Sequence, residues 1–380
     1  MFDNQTTFII GAGASNEFEF PVSNELVTRI SLCLKNVVSK LKSELPNRPY
    51  QPQDDVPFHR FIDANMDAKI IYNCIRVMSC NENPDGSRAN TINYKKLFDY
   101  IKVADSINDK IETLTSTIDE FLGRRETTPD EKIISKIAIS SIIRYCEQNS
   151  VLFENHNKKI PYGISQLNST YLFKLYRILS QNGVDEIFTN RNFIIFNYDL
   201  CFEQLFFKFI QKAGGRSAQE AFDLISKANI IHPYGTACEF VLDPSGETSF
   251  GMLDGSINYD QFIERASYDL RLHTDVEINH ELKNNIERAV YEAKTLVILG
   301  FGYHRDNLKL LSTSKEFKKI PKRRVIANFY KMSETNIRVI KERLGSIAYF
   351  GEIHPADDRI SNDKNLSASQ LIDEYSQLFN

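Results

Sequence analysis

The stretch Thr6-Thr7-Phe8-Ile9-Ile10-Gly11-Ala12-Gly13-Ala14-Ser15 decides the fold. Its apolar run reads as a buried parallel strand, because a strand covered on both faces loses the usual alternation of apolar and polar residues. The run breaks into Gly-Ala-Gly-Ala-Ser, and a helix-compatible segment follows. Two uses are open to such a turn. Glycines can bring the backbone close to a phosphate, held by the N–H groups and the positive dipole end of the next helix. They can also simply make a tight structural bend. The spacing departs from the full dinucleotide fingerprint, since Asn16 stands where a third glycine is expected.

Further along, the same arrangement returns. Arg191-Asn192-Phe193-Ile194-Ile195-Phe196 runs into Asn197-Tyr198-Asp199, and Asn229-Ile230-Ile231 into His232-Pro233-Tyr234-Gly235. Thr295-Leu296-Val297-Ile298-Leu299 ends in Gly300-Phe301-Gly302-Tyr303-His304, and Arg324–Tyr330 reads as one more strand, with a short one expected near Ile347–Phe350. Helical spacing lies between them: a helix carrying Phe202, Leu205, Phe206 and Phe209 up to Gly214-Gly215, then helices over about 278–293 and from Ser333 to about Leu344. Strands alternating with helices predict an α/β fold, a Rossmann-like doubly wound parallel sheet. In such sheets ligands bind outside the carboxyl ends of the strands, where this chain puts small and polar residues.

Between the first strand and residue 184 the pattern is helical. Apolar spacing predicts helices over about 24–45, 58–80, 91–115, 129–149 and 165–182, with prolines at 46, 49, 52 and 57 and the turn Asn83-Pro84-Asp85-Gly86-Ser87 as breaks. No second strong strand is expected inside this block. The expected organisation is therefore a core from 1–23 and 184–355, a large helical insertion or layer at 24–183, and a helical C-terminal tail at 356–380.

With 42% hydrophobic residues among 380, the chain can bury a substantial core. A net charge of −4 gives no general attraction to nucleic acid or anionic membrane, and the cluster Lys318-Lys319 with Lys322-Arg323-Arg324 reads as a solvated face. The six cysteines form no Cys-x-x-Cys pair, so no metal is expected, and they read as small buried apolar residues. With a strand almost at the first residue and no apolar run near the length of a span, the expectation is a cytoplasmic protein without a membrane segment.

Each candidate residue has a functional and a plain reading. Asn197 can present a donor and an acceptor to a ribose or a water, or satisfy backbone at its strand end. His232 titrates near neutrality and suits a general base, or is a structural histidine like most of the seven. His354 stands in a similar Ile-His-Pro setting beyond the sheet motifs, and His304 can cap the helix after it. Asp119 and Asp199 can serve a ligand or complement a helix start. Ser23, after Pro21-Val22, can touch a ligand or cap its helix.

Taken together and in order, these segments resemble the sirtuin-like NAD-binding family, in its bacterial anti-phage branch. The residues carrying the likeness are Phe8–Ser15, Phe20-Pro21-Val22-Ser23, Ser116–Leu122, Phe196-Asn197-Tyr198-Asp199, Ile231–Gly235 and Leu299–His304. The resemblance implies hydrolysis of NAD+ at the nicotinamide N-glycosidic bond by a homo-oligomer, paired in some systems with a HerA-type ATPase or an Argonaute-like sensor. It implies Asn197, His232 and Asp119 as catalytic residues. It further implies Gly11, Ala12, Gly13, Ala14 and Ser15 at the pyrophosphate, Gly300 and Gly302 at the adenosine ribose, and Pro21, Ser23, Asp199 and His304 in support. A non-catalytic NAD or ADP-ribose sensor and a protein deacylase are the alternatives. The departures are Phe-Pro-Val-Ser in place of the deacylase Gly-Ile-Pro-x-Phe-Arg loop, the missing zinc cysteines, and a catalytic histidine that should directly precede a glycine. Here Tyr234 precedes Gly235; His232 is preferred because its imidazole takes a proton near neutral pH.

Overall fold

Strand β1, Thr6–Ile10, is buried along its whole length at the centre of a five-stranded parallel sheet. The computed structural model describes residues 5–45, 66–83, 88–114, 117–153, 167–253, 257–312, 323–348 and 365–376. Within them a hairpin of β2 (Cys80–Glu82) and β3 (Arg88–Ile92) stands apart from the main sheet, which also contains β4 (Arg191–Ile195), β5 (Asn229–Ile231), β6 (Thr295–Leu299) and β7 (Arg324–Ala327). The strand order is β5-β4-β1-β6-β7, with Phe8 opposite both Phe193 and Val297. The chain leaves β1 toward β4 and leaves β6 toward β7, so the crossovers diverge between β1 and β6. That is the switch point where a doubly wound sheet opens a crevice.

Alternate side chains of β1 serve the two covering layers. Phe8 stacks on Phe193 at 5.2 Å between ring centroids, and Phe193 meets Phe202 of the helix Cys201–Lys212 at 4.7 Å. Thr7 points the other way and donates from Oγ1 to the Ala289 carbonyl (2.6 Å) in the helix His280–Glu292. The helices Ser23–Glu44, Met66–Met78, Tyr94–Leu114 and Pro129–Asn149 pack on one another as a block. Pro129–Asn149 begins as its sequence dictates: Thr128 Oγ1 accepts from the Glu131 amide, Glu131 Oε2 accepts from the Thr128 amide, and proline takes the first helical position.

Two expectations need correction. The helical block does hold strands, the β2–β3 hairpin; Cys80-Asn81-Glu82 is neither apolar nor alternating, so no strand signal marks it. No strand begins at Ile347, because the helix Glu334–Ala348 continues through it. A further helix, Tyr259–Asp269, is capped by Asn258, whose Oδ1 accepts from the Gln261 amide (3.1 Å). The prolines at 46–57, residues 84–87, Ser116, Lys318, Lys319, Lys322, Phe350, His354 and the tail to 364 lie outside the described residues.

Candidate active site

A cleft of about 500 Å³ opens at the switch point. Its lining includes Gly11, Ala12 and Gly13 after β1, Phe196 after β4, Tyr234 after β5, Gly300, Phe301 and Gly302 after β6, and Asn328 after β7. All five strand ends therefore reach one cavity.

Glycine is required where the turns after β1 and β6 meet. A Cβ on Gly300, whose φ is +58°, would stand 2.0 Å from the Ala14 amide nitrogen. The Gly13 amide donates to the Gly300 carbonyl (2.9 Å), and the Gly11 amide to the Leu299 carbonyl (2.9 Å). These two N–H groups are spent on the neighbouring turn, so the glycines first serve close packing of backbone on backbone. The start of a long helix lies next door. Val22, Ser23 and Asn24, the start of the 22-residue helix Ser23–Glu44, line the same cleft. Ser23 is the first helical residue rather than the cap, and Glu25 in the same turn accepts from the Val22 amide at Oε2 (3.1 Å). The positive end of the helix dipole lies at this wall of the cleft.

The cleft's carboxyls are Asp119 and Glu17. Asp119, in the short helix Ile118–Gly123, accepts a hydrogen bond from the Tyr198 hydroxyl. Burial raises its pKa, and the Tyr198 bond and nearby His304 offset this only in part. Glu17 is committed to structure: Oε2 accepts from the Tyr171 amide (2.6 Å) and Oε1 from the Ser369 amide (3.0 Å). It thereby ties the glycine turn to the starts of the helices Tyr171–Leu179 and Ala368–Glu374. Ser367 and Ala368 complete the wall, held there by Asn328, whose Nδ2 donates to the Leu366 carbonyl (3.2 Å) while its Oδ1 accepts from the Gly300 amide (3.0 Å).

Aromatic rings make the floor. Tyr234 and Phe301 each meet Phe196 edge to face, at 5.8 and 5.0 Å. The Tyr234 hydroxyl donates to Asn307 Oδ1 (2.5 Å), spanning from the end of β5 to the helix Arg305–Leu311. Burial, with Asp119 and Asp306 nearby, drives the tyrosine pKa upward, so Tyr234 acts as a donor and not as a base. Gly235 fixes the register here: at φ +74° its Cβ would fall 1.7 Å from the Asp269 carbonyl oxygen. The residue immediately before that turn is Tyr234, and it is Tyr234 that lines the cavity.

The other expected residues lie behind the lining. Asn197, 4% exposed, donates from Nδ2 to Ser15 Oγ (2.7 Å), and its Oδ1 has no partner. Ser15 also bonds the buried Asp199 carboxyl, whose pKa is raised by desolvation, and Asp199 Oδ1 accepts from the Cys201 amide (3.1 Å). His232 sits against this group, with Nδ1 3.1 Å from the Asn197 carbonyl and Nε2 2.8 Å from Glu203 Oε1. Both ring nitrogens are thus engaged, and neither is open to a ligand in the cleft. Burial lowers the imidazole pKa, but Glu203 and the Asn197 carbonyl outweigh it, and the net position is above the ordinary value.

The expected set therefore divides. Gly11, Ala12, Gly13, Ser23, Asp119, Gly300, Gly302 and His304 line the cleft, whereas Ala14, Ser15, Pro21, Asn197, Asp199 and His232 do not. Asn16, Glu17, Asn307, Asn328 and Tyr330 line it without having been singled out. Among the described residues no group of His, Cys, Asp and Glu could hold a metal ion, and no helix is long and apolar enough to cross a membrane.

The fold is that of a doubly wound α/β protein with a cleft at its switch point. No protein-family model matches the chain, and no curated protein matches it.

Proposed function

We propose that this chain is an NAD+ glycohydrolase, in which water cleaves the bond between the nicotinamide nitrogen and the ribose anomeric carbon to give nicotinamide, ADP-ribose and a proton. One observation carries the reading: two glycine turns, the start of a long helix and the Asp119 carboxyl line a single cleft. Its volume falls within the roughly 300–1,000 Å³ usual for small-molecule sites. The helix start at Ser23 suits the pyrophosphate, and the bare backbone at Gly300 and Gly302 suits a ribose.

Nicotinamide departs as a neutral ring, so little acid catalysis is needed. The barrier falls through fixed geometry and through negative charge close to the anomeric carbon as it becomes cationic. With Glu17 spent on two backbone amides, Asp119 is the carboxyl suited to that work and to taking the proton of the attacking water. Its raised pKa makes it a better base than an exposed aspartate. Asn197 supports the site from behind, its unpartnered Oδ1 suiting a buried water.

The family resemblance further supports a role as the NAD+-depleting effector of an anti-phage system in the cytoplasm, as a homo-oligomer with a HerA-type ATPase or another phage-sensing partner. Mass measurement by size exclusion with and without such an ATPase tests this; a monomer in both argues against it. A second reading, a non-catalytic sensor of NAD+ or ADP-ribose, draws on the engaged state of His232, which withholds that imidazole from the cleft. Incubation with NAD+, with the activating partner present, and assay of free nicotinamide separates the two: release that is lost in Asp119→Asn supports the hydrolase, and tight binding without release supports the sensor.

A further inference from the structure

Behind the cleft, the histidine expected to react is instead held between two acceptors, and the residue holding its far edge lies outside the motifs singled out above. Glu203, on the first turn of the helix Cys201–Lys212, is 5% exposed and meets His232 Nε2 at 2.8 Å. The opposite ring edge meets the Asn197 carbonyl, which can only accept, so Nδ1 carries a proton. We propose that Glu203 is a positioning residue: its carboxylate keeps the Nε2 edge of His232 turned from the cleft, and through the Nδ1 edge it pins the main chain at Asn197, so that the Asn197 amide meets Ser15 in one orientation.

The hydrogen-bond chain is consistent in direction. Ser15 bonds the Asp199 carboxyl and accepts from Asn197 Nδ2, which leaves Asn197 Oδ1 as the free acceptor. Two carboxyls, Glu203 and Asp199, act directly on the imidazole. Glu203 and Asp199 come from the segment after β4, and Glu147 from the helix Pro129–Asn149 accepts at Oε1 from the Leu200 amide (3.0 Å). From the opposite side Arg271 donates to the His232 carbonyl oxygen (2.9 Å). An imidazolium among these carboxyls satisfies both of its ring contacts at once, whereas a neutral ring requires Glu203 to bring the proton. In either state His232 offers no free nitrogen to the cleft.

The test does not depend on the NAD+ reading. Full-length protein carrying 15N-labelled histidine is titrated from about pH 6 to about pH 9, and His232→Asn assigns the His232 signal among the seven histidines. In the wild type Nδ1 is expected to stay protonated throughout, with both nitrogens at imidazolium shifts past neutrality. In Glu203→Gln the Nε2 shift is expected to move to that of an unprotonated nitrogen by about pH 7, with Nδ1 still protonated. A wild-type His232 that titrates as a free imidazole, or a Glu203→Gln spectrum with unchanged His232 shifts, overturns the assignment. Should Glu203→Gln fail to fold, Glu203→Asp is read instead: its shorter reach to Nε2 is expected to lower the pH at which that nitrogen loses its proton, and an unmoved titration again overturns it. Where NAD+ turnover is present, Glu203→Gln should lower kcat by about tenfold with KM within about twofold. A wild type without turnover counts against the hydrolase alone and leaves the histidine result standing.

Discussion

The lining of the cleft and the cluster behind it hold the same kinds of group, carboxyl and imidazole among them, in opposite states. Asp119, Tyr234 and His304 face the cavity; Ser15, Asn197, Asp199, Glu203 and His232 bond one another out of its reach. A displacement of two residues, from His232 to Tyr234, moves a side chain from one region to the other. Chemical type alone does not say which residue of a polar strand end reacts. The turn that follows does, and at Gly235 backbone packing fixes it.

The comparison breaks first at the shared backbone. Gly300→Ala drives a Cβ into the Ala14 amide and should cost on the order of 4 kcal/mol or more, seen as a collapse of the denaturation midpoint. An ordinary midpoint would mean that the two turns do not pack as described. Next comes the cluster. Glu203→Ala leaves His232 buried without its partner and should destabilise by about 3–5 kcal/mol in urea titrations. Asp119→Asn, on the cleft side, should lower nicotinamide release at least about 100-fold while the melting temperature barely moves, since an amide oxygen still accepts from Tyr198. Equal losses of stability in both variants would erase the distinction between the regions.

Acidity sharpens it further. Burial pushes Glu147 up to about 8, despite bonds from the Leu200 and Gly251 amides, and His232 also lies above its ordinary value. In both cases the folded state binds more protons than the unfolded chain. Stability should therefore fall as pH rises from about 5 toward about 8, Glu147 acting over the whole window and His232 over its upper part. Glu147→Gln, followed by thermal melts across that range, should flatten the decline; a steepened one would refute the sign. The smallest effect is expected at Tyr234→Phe, which removes the bond to Asn307 and should cost about 1 kcal/mol.

Much of the frame was legible. The runs at Phe8, Phe193 and Val297 are apolar without alternation because the sheet is covered on both sides, and the helix Pro129–Asn149 carries its own cap and proline. The hairpin at Cys80–Glu82 was not legible, since its residues are polar and only partly buried. Nor were Glu17, Glu203 and Asn328. Each works through a partner far off in the chain: Ser369 for Glu17, His232 for Glu203 and Leu366 for Asn328. Local spacing carries no trace of such contacts. Asn258 before Tyr259 was a readable cap signal for the helix found there.

The Glu17 bridge has a consequence in time. Translation delivers the glycine bend long before Ser367, so a growing chain presents an unfinished cavity until that later segment has left the ribosome. A product cut short upstream of Leu366 would lack the far wall of the cleft.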